Sequence, residues 1–434
     1  MAERPDALSG PGPRPQVRLS RRAVLGAAAA GTAGLVVGRV AGPLLGDLPG
    51  APPQTTGVTS SAYPFHGVHQ SGITTPPQAH LQFAAFDMVE DADRRDLVRL
   101  LKDWSAAAAR MTEGRPVSAA GALGGDPLLP PEDTGETMDL PASGLTITIG
   151  FGPGLFERDG VDRFGIGAGR PSELVPLPAF TGDAIDPALS DGDLGVQICA
   201  DDPLVALHAM RNFARVAFGR AAIRWSQTGF GGATKGTSDQ PTPRNLLGFK
   251  DGTSNIDGAD QTALDEHVWL PADSSPGWLA GGTYLVVRRI AMLLEGWDGE
   301  PLSVQQATFG RTKGDGAPLS GGDESTPPDF NTKVGGAYAI DPHAHIRLAH
   351  PSNNGGIRLL RRGYSYFDGT TADGRLDGGL LFMSYQHSPE RFVTVQRALA
   401  TDLLNDFIRP VGSALFAVPP GASTGGYVGE TLIG

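Results

Sequence analysis

"LGVQICADDPLVALHAMRNFARVAFG", residues 194–219, decides the fold. Its first seven residues, 194–200, read as a strand. Asp202 can then cap a helix, and Pro203 suits the first helical position, where a missing N–H is no loss. The pairing of strand with helix recurs on both sides of this stretch. Upstream, "HLQFAAFDM" (80–88) reads as a strand and "DADRRDLVRLLKDWSAAAARM" (91–111) as a helix. In that helix Leu97, Leu101, Trp104, Ala108 and Met111 recur at steps of four and three, on one face. "LTITIGF" (145–151) alternates, as a half-buried strand does. Downstream, "GGTYLVVRRIAM" (281–292) and "GGLLFMSYQ" (378–386) read as strands, and "RFVTVQRALATDLLNDFI" (391–408) as a helix. Strand–helix units with antiparallel-looking neighbours predict an α+β fold rather than a doubly wound parallel sheet. The polar, turn-rich "GTSDQPTPRN" places a boundary near residue 240, dividing the chain into 55–240 and 241–434 behind a lead-in at 1–54. No short-period repeat is visible, which excludes a solenoid.

At 434 residues the chain can build two proper cores. The formal net charge of −12 argues against a nucleic-acid binder, which usually carries a basic stripe. Cys199 is the single cysteine, so no internal disulfide, cysteine-based zinc site or iron–sulfur cluster can form. "RLSRRAVLGAAAAGTAGLVVG" (18–38) sets Arg21 and Arg22 before an apolar run of about 16 residues, short of the ~20 a membrane span needs. The pattern resembles a twin-arginine export signal, which passes folded proteins, often with a cofactor already inserted. It places the protein outside the cell, in the periplasm or on the cell envelope. A membrane anchor, and hence membrane-side association, is the alternative. Residues 42–62 look like a flexible lead-in.

Chemistry concentrates in two places. In "GFKDGTSN" (248–255), Gly248 and Gly252 flank Asp251, giving tight backbone and a carboxylate at a loop tip; an ordinary Asp–Gly turn is the plain alternative. "HAHIRLAHP" (343–351) gathers His343, His345 and His350, three of the chain's nine histidines, around Arg347. Read with period two, the stretch puts His345 and Arg347 on one face. A neutral imidazole there can ligate iron, and an arginine beside it can meet a carboxylate such as a haem propionate. The alternatives are a divalent-metal site, ordinary surface residues, or a satisfied core histidine. In "IRLLRRGYSY" (357–366), Arg361 and Arg362 must point to opposite faces of a strand, one into a pocket and the other to solvent. The glycine clusters "GFGPGLF" (150–156) and "GIGAGR" (165–170) lack the context of a dinucleotide fingerprint and read as turns.

"FHGVHQSGITTPPQ", "LTITIGFGPGLF", "GFKDGTSN", "GGTYLVVRRI", "DPHAHIRLAHP", "RRGYSYFDG" and "GLLFMSYQ" follow one another in this order. The series resembles the dye-decolourising peroxidase family, closest to its exported deferrochelatase/peroxidase branch, over nearly all of 63–420. The resemblance implies a barrel-like α+β fold of two ferredoxin-like halves, with one haem b in the C-terminal half. It implies His345 as the proximal iron ligand, and Asp251 and Arg361 on the distal side. The backbone of Gly252, Thr253 and Ser254 would cross the haem, with His350, Pro351 and Ser352 near its proximal side or propionates. Relatives often carry Asn-Pro-Arg at those last three positions, so an arginine is replaced here. The implied reaction uses hydrogen peroxide to raise the haem two electrons above the ferric state, then oxidises phenols, dyes or metal ions. Asp251 would relay the proton and Arg361 supply fixed positive charge. The physiological electron donor stays unidentified, and a homo-oligomer is compatible. An acidic group should hold the far nitrogen of His345, with Asp406 as the candidate. Trp225, Tyr364, Tyr366 and Tyr385 are candidates for surface relays or for plain core aromatics. The alternative function is a haem-handling protein that carries haem or removes its iron.

Overall fold

In a computed structural model, residues 61–232 and 242–434 are described. The export leader and the boundary expected near residue 240 lie outside the described residues. Eleven strands are found among the described residues: β1 (His80–Met88), β2 (Thr146–Phe151), β3 (Leu194–Ala200), β4 (Ala221–Phe230), β5 (Thr283–Met292), β6 (Lys333–Val334), β7 (Ala337–Tyr338), β8 (Leu360–Arg361), β9 (Tyr364–Thr370), β10 (Leu376–Gln386) and β11 (Ile408–Val418). Eight of them close on themselves in the order β5-β11-β2-β3-β1-β4-β9-β10, with β10 pairing back to β5. The partnered strands are antiparallel throughout. Within β1–β4 the lateral order is β4-β1-β3-β2; the second set repeats it as β11-β5-β10-β9. Each set is therefore ferredoxin-like, and together they make an α+β barrel.

The pleat sorts the side chains. Along β1, Leu81, Phe83 and Ala85 face the barrel interior, where they meet Leu285, Val287, Met383, Tyr385 and Phe416. The intervening Ala84, Phe86 and Met88 pack outward with Leu97, Leu101, Trp104 and Phe213 of two helices. Those helices start as the sequence requires. Asp93 and Asp96 form a capping box for Arg94–Met111, and Asp202 caps Pro203–Ala217 by accepting from the N–H groups of Leu204 and Val205.

Two expectations of local structure fail. The helix expected over 391–408 runs only from Pro389 to Ala398. Asp402 takes extended backbone (φ −64°, ψ 129°) and caps a separate turn, Leu403–Asp406, after which β11 begins. The alternating "AHIRLAH" is not a strand: His345–Leu348 form one helical turn. The Asp341 side chain accepts from the His343 N–H at 2.7 Å, and the Ala349 N–H reaches the His345 carbonyl at 2.9 Å. These local bonds override the alternation. β4 and β11, both needed to close the barrel, were not anticipated.

Candidate functional site

The outward face of the second sheet, bare of the helices that cover the first, walls a cavity of about 280 Å³. Ile290 and Met292 of β5, Leu380 and Phe382 of β10, and Ile408 and Pro410 of β11 form one apolar side. Phe392, Val395 and Leu399, from Pro389–Ala398 and the turn after it, add another. The lining also includes two polar groups that bear on chemistry: His345, His350 and Asp402, and the segment Asp251, Gly252, Thr253 and Ser254 with Arg361.

The imidazole of His345 is oriented by Asp402. Nδ1 lies 2.6 Å from Asp402 Oδ2. An ionised carboxylate can only accept, so in the neutral form of the ring the proton belongs on Nδ1 and Nε2 keeps its lone pair. The other Asp402 oxygen accepts from the Leu404 N–H at 2.9 Å, and the carboxylate is 3 % exposed. Burial works against a charged imidazole at His345, but the Asp402 carboxylate outweighs it and holds the group above its ordinary value. The expected partner, Asp406, is replaced by Asp402. A continuous helix pointed to position 406; the break in that helix brings 402 to the ring instead.

The second polar group is held just as closely. Arg361 Nη1 lies 3.0 Å from Asp251 Oδ1. Gly252, at φ +100°, turns the chain directly after Asp251. Asn255 then binds the backbone of Arg361 on both sides, accepting from its N–H at 2.8 Å and donating to its carbonyl at 2.9 Å. Glu324 accepts from Thr253 Oγ1 at 3.2 Å, and also from Thr242 and Lys250. Neither Asn255 nor Glu324 carried a signal in the sequence that set it apart.

Other expectations change. A helical turn sets positions i and i+2 about 200° apart, so Arg347 does not share a face with His345. It donates instead to the carbonyls of Phe330 (3.0 Å) and Ile340 (3.2 Å), outside the cavity lining. Of 350–352, His350 and Pro351 line the cavity and Ser352 does not. His350 Nδ1 accepts from the Ser352 N–H at 3.2 Å, capping the turn Pro351–Asn353. His343 is exposed, 3.0 Å from Thr401 Oγ1. The three histidines do not converge. Among the described residues no group of three His, Cys, Asp or Glu side chains could hold a metal ion. Arg362 is not in solvent either: it is 2 % exposed, its guanidinium donating to Thr75 and Gln78. Trp225, Tyr364, Tyr366 and Tyr385 are all buried, which makes them core aromatics and removes the surface-relay reading.

This donor set fits haem. A single oriented imidazole is a poor cage for a bare cation, but it suits an iron that brings its own four equatorial nitrogens. The apolar walls suit a flat macrocycle. The cavity also sets the Asp251 carboxylate, a group chemically able to carry a proton, beside the Arg361 guanidinium.

An α+β barrel with an imidazole–carboxylate pair and an acid–guanidinium pair in one apolar cavity defines the class: a peroxidase-type oxidoreductase. Residues 70–231 match the family model "Dyp-type peroxidase, N-terminal" and residues 242–423 match "Dyp-type peroxidase, C-terminal". The chain belongs to the Dyp-type peroxidase family. It is 39 % identical over 381 residues to the deferrochelatase of Escherichia coli K12, covering 85 % of this chain and 87 % of that protein. Ferric DtpA from Streptomyces lividans is 43 % identical with a TM-score of 0.79, over 88 % of this chain and 100 % of that one. A DyP-type peroxidase from Cellulomonas bogoriensis is 40 % identical with a TM-score of 0.76, over 87 % and 99 %.

Proposed function

We propose that this peroxidase holds one haem b per chain, on His345, and acts after export through the twin-arginine pathway on phenolic, dye-like or metal-ion donors. The observation that carries the reading is the sharing of one apolar cavity by the His345–Asp402 and Asp251–Arg361 pairs. Bound haem would supply a redox centre that hydrogen peroxide can oxidise by two electrons.

The residues do the rest. Asp402 fixes the ring of His345 and, by pulling on the Nδ1 proton, makes Nε2 a stronger donor. Asp251 takes a proton from one peroxide oxygen and returns it to the other, directly or through a water. Arg361 cannot serve as a base near neutral pH; it stabilises the negative charge that develops as the O–O bond breaks. The apolar walls exclude water, which strengthens both effects. Bulky donors would deliver electrons from the cavity rim rather than enter it.

The test is to mix the haem-loaded protein with one equivalent of hydrogen peroxide and follow the Soret band by stopped flow. A prompt shift, reversed by a phenolic donor, is the expected result. Asp251→Ala and Arg361→Ala should each slow that shift by about 10²-fold or more. The curated relatives named deferrochelatase favour a second reading, iron removal from haem. A static Soret band accompanied by iron appearing on an external chelator would make that reading the better one.

A further inference from the structure

Asp251 lies on a loop whose two arms are joined from outside. Its own N–H donates to the Pro243 carbonyl at 2.9 Å, and the Asn245 N–H reaches the Phe249 carbonyl at 3.0 Å. The arms thus run side by side, with Thr242 on one and Thr253 on the other. One carboxylate, that of Glu324, spans them. Its Oε1 accepts from Thr242 and, at 3.2 Å, from Thr253. Its Oε2 pairs with Lys250, the residue directly before Asp251. Glu324 itself comes from the long excursion between the helix Leu302–Phe309 and β6.

That excursion is shaped around the pair. Arg311 Nη1 donates to the carbonyls of Gly316 (2.6 Å) and Glu324 (3.1 Å), tying three points of it together. The Asp323 side chain accepts from the N–H groups of Ser325 (2.9 Å) and Thr326 (3.0 Å), a turn that fixes the backbone around Glu324. Gly316 sits at φ +80°, and a Cβ there would lie 2.8 Å from Lys250 Cδ. A side chain at 316 would therefore press on the stem of Lys250.

Lys250 lines the same cavity as Asp251. An ammonium free to turn toward Asp251 would be a second cation beside it, after Arg361 at 3.0 Å. It would hold Asp251 ionised more strongly and make it a poorer proton acceptor. Glu324 prevents this by taking up the charge. The remaining charged groups around the loop are His345, which Asp251 attracts, Arg311, and the exposed Asp315 near Lys250. We propose that Glu324 is a positioning residue of the peroxide reaction: it clamps both arms of the Asp251 loop and cancels the charge of Lys250. The inference rests on the reading of Asp251 as the proton carrier.

The test uses the full haem-loaded chain and the variants Glu324→Gln, Lys250→Met and the two combined. Glu324→Gln keeps an oxygen for the two threonines but leaves Lys250 uncompensated. The rate of the Soret shift with hydrogen peroxide is followed against pH. On its acid limb Asp251 is protonated and accepts no further proton. In Glu324→Gln that limb should move down by about one pH unit, and the plateau rate should fall about 10-fold. Lys250→Met should move the limb up, and the combined variant should return it to the wild-type position. An unmoved limb in both single variants, or a combined variant as far from wild type as Glu324→Gln, would overturn the proposal. The clamp is read separately, by amide hydrogen exchange across 242–254. Glu324→Ala should speed that exchange about 10-fold while Arg94–Met111 exchanges as in wild type. Unchanged exchange at 242–254 would equally overturn the proposal. If Glu324→Gln does not fold, Lys250→Met decides by the direction of its shift. A wild-type protein whose Soret band ignores peroxide would sink the peroxidase reading instead, and the exchange measurement would still decide the clamp.

Discussion

Arg361 and Arg362 are adjacent in the chain, yet they belong to different parts of the molecule. Arg361 lines the cavity and meets Asp251; Arg362 is buried on the Cys199 and Tyr385 side, where it satisfies Gln78 and Thr75. Their substitutions should therefore separate function from stability. Arg361→Ala should lose the rapid reaction with peroxide while its urea midpoint stays nearly unchanged. Arg362→Ala should lose about 3 kcal/mol or more, because it leaves a cavity and strands buried acceptors. Asp402→Asn makes a finer distinction. It keeps a polar side chain against His345 but removes the charge, and should cost about 10- to 100-fold in haem affinity or turnover. Unchanged haem retention and turnover in that variant would mean that the Asp402 charge does not tune His345. At this scale the sequence was partly legible. Asp251 stood out between Gly248 and Gly252 and His345 in a cluster of histidines, whereas Arg361 was told from Arg362 only by the family resemblance. Asp402 did not stand out, because a helix pattern concealed the break that delivers it.

The elements that carry these residues are short and loop-like, and they are held by side chains rather than by long ladders. Asn255 does for Arg361 what a neighbouring strand would do, accepting from its N–H and donating to its carbonyl. Asn255→Ala should cost about 1–3 kcal/mol in chemical denaturation and also slow the peroxide reaction, since Arg361 loses its seat. In the first half, Glu136 joins the loop after the first long helix to the helix Pro203–Ala217, lying 2.8 Å from His208 Nδ1. Burial pushes Glu136 upward, but bonds from Thr134, His208 and Arg211 outweigh it and bring its pKa down to about 2. A depressed carboxylate stabilises the fold above its ordinary value of 4.5 and loses that contribution as pH falls toward 2. Glu136→Gln should therefore lower the melting temperature at neutral pH, and the gap from wild type should narrow between pH 4.5 and pH 2. A gap independent of pH would refute the assignment. Element patterns were legible where period and caps agreed, as in Arg94–Met111 and Pro203–Ala217. They misled at 343–350, where local hydrogen bonds from Asp341 turned an alternating sequence into a helix.

Across the whole molecule, the barrel closes through unequal seams. β5 and β10 pair from Tyr284 with Gln386 to Ala291 with Gly379, whereas β2 meets β11 only at Phe151 with Ala417, and β4 meets β9 only at Phe230 with Ser365. Those two seams join the halves, so interior side chains must hold what the backbone does not. Phe416 packs its ring against Gly195, and the Tyr364 Cβ would lie 2.7 Å from a methyl group added at Gly229. Gly229→Ala should thus cost about 1–3 kcal/mol by forcing the β4 side away from β9, read as a lower urea midpoint. An unchanged midpoint would show that the seam has room to spare.

The sequence by itself determined the strand and helix character of the long periodic segments, the α+β class, and the residue types able to bind iron and move a proton. Periodicity and capping are local, and local physics suffices for them. Only the tertiary structure decided which residues meet. The closure of two ferredoxin-like sheets, the burial of Arg362, the exclusion of Arg347 and the choice of Asp402 over Asp406 all depend on packing between segments far apart in the chain. Those contacts are set by burial and hydrogen-bond satisfaction across the barrel, which no short window of sequence contains.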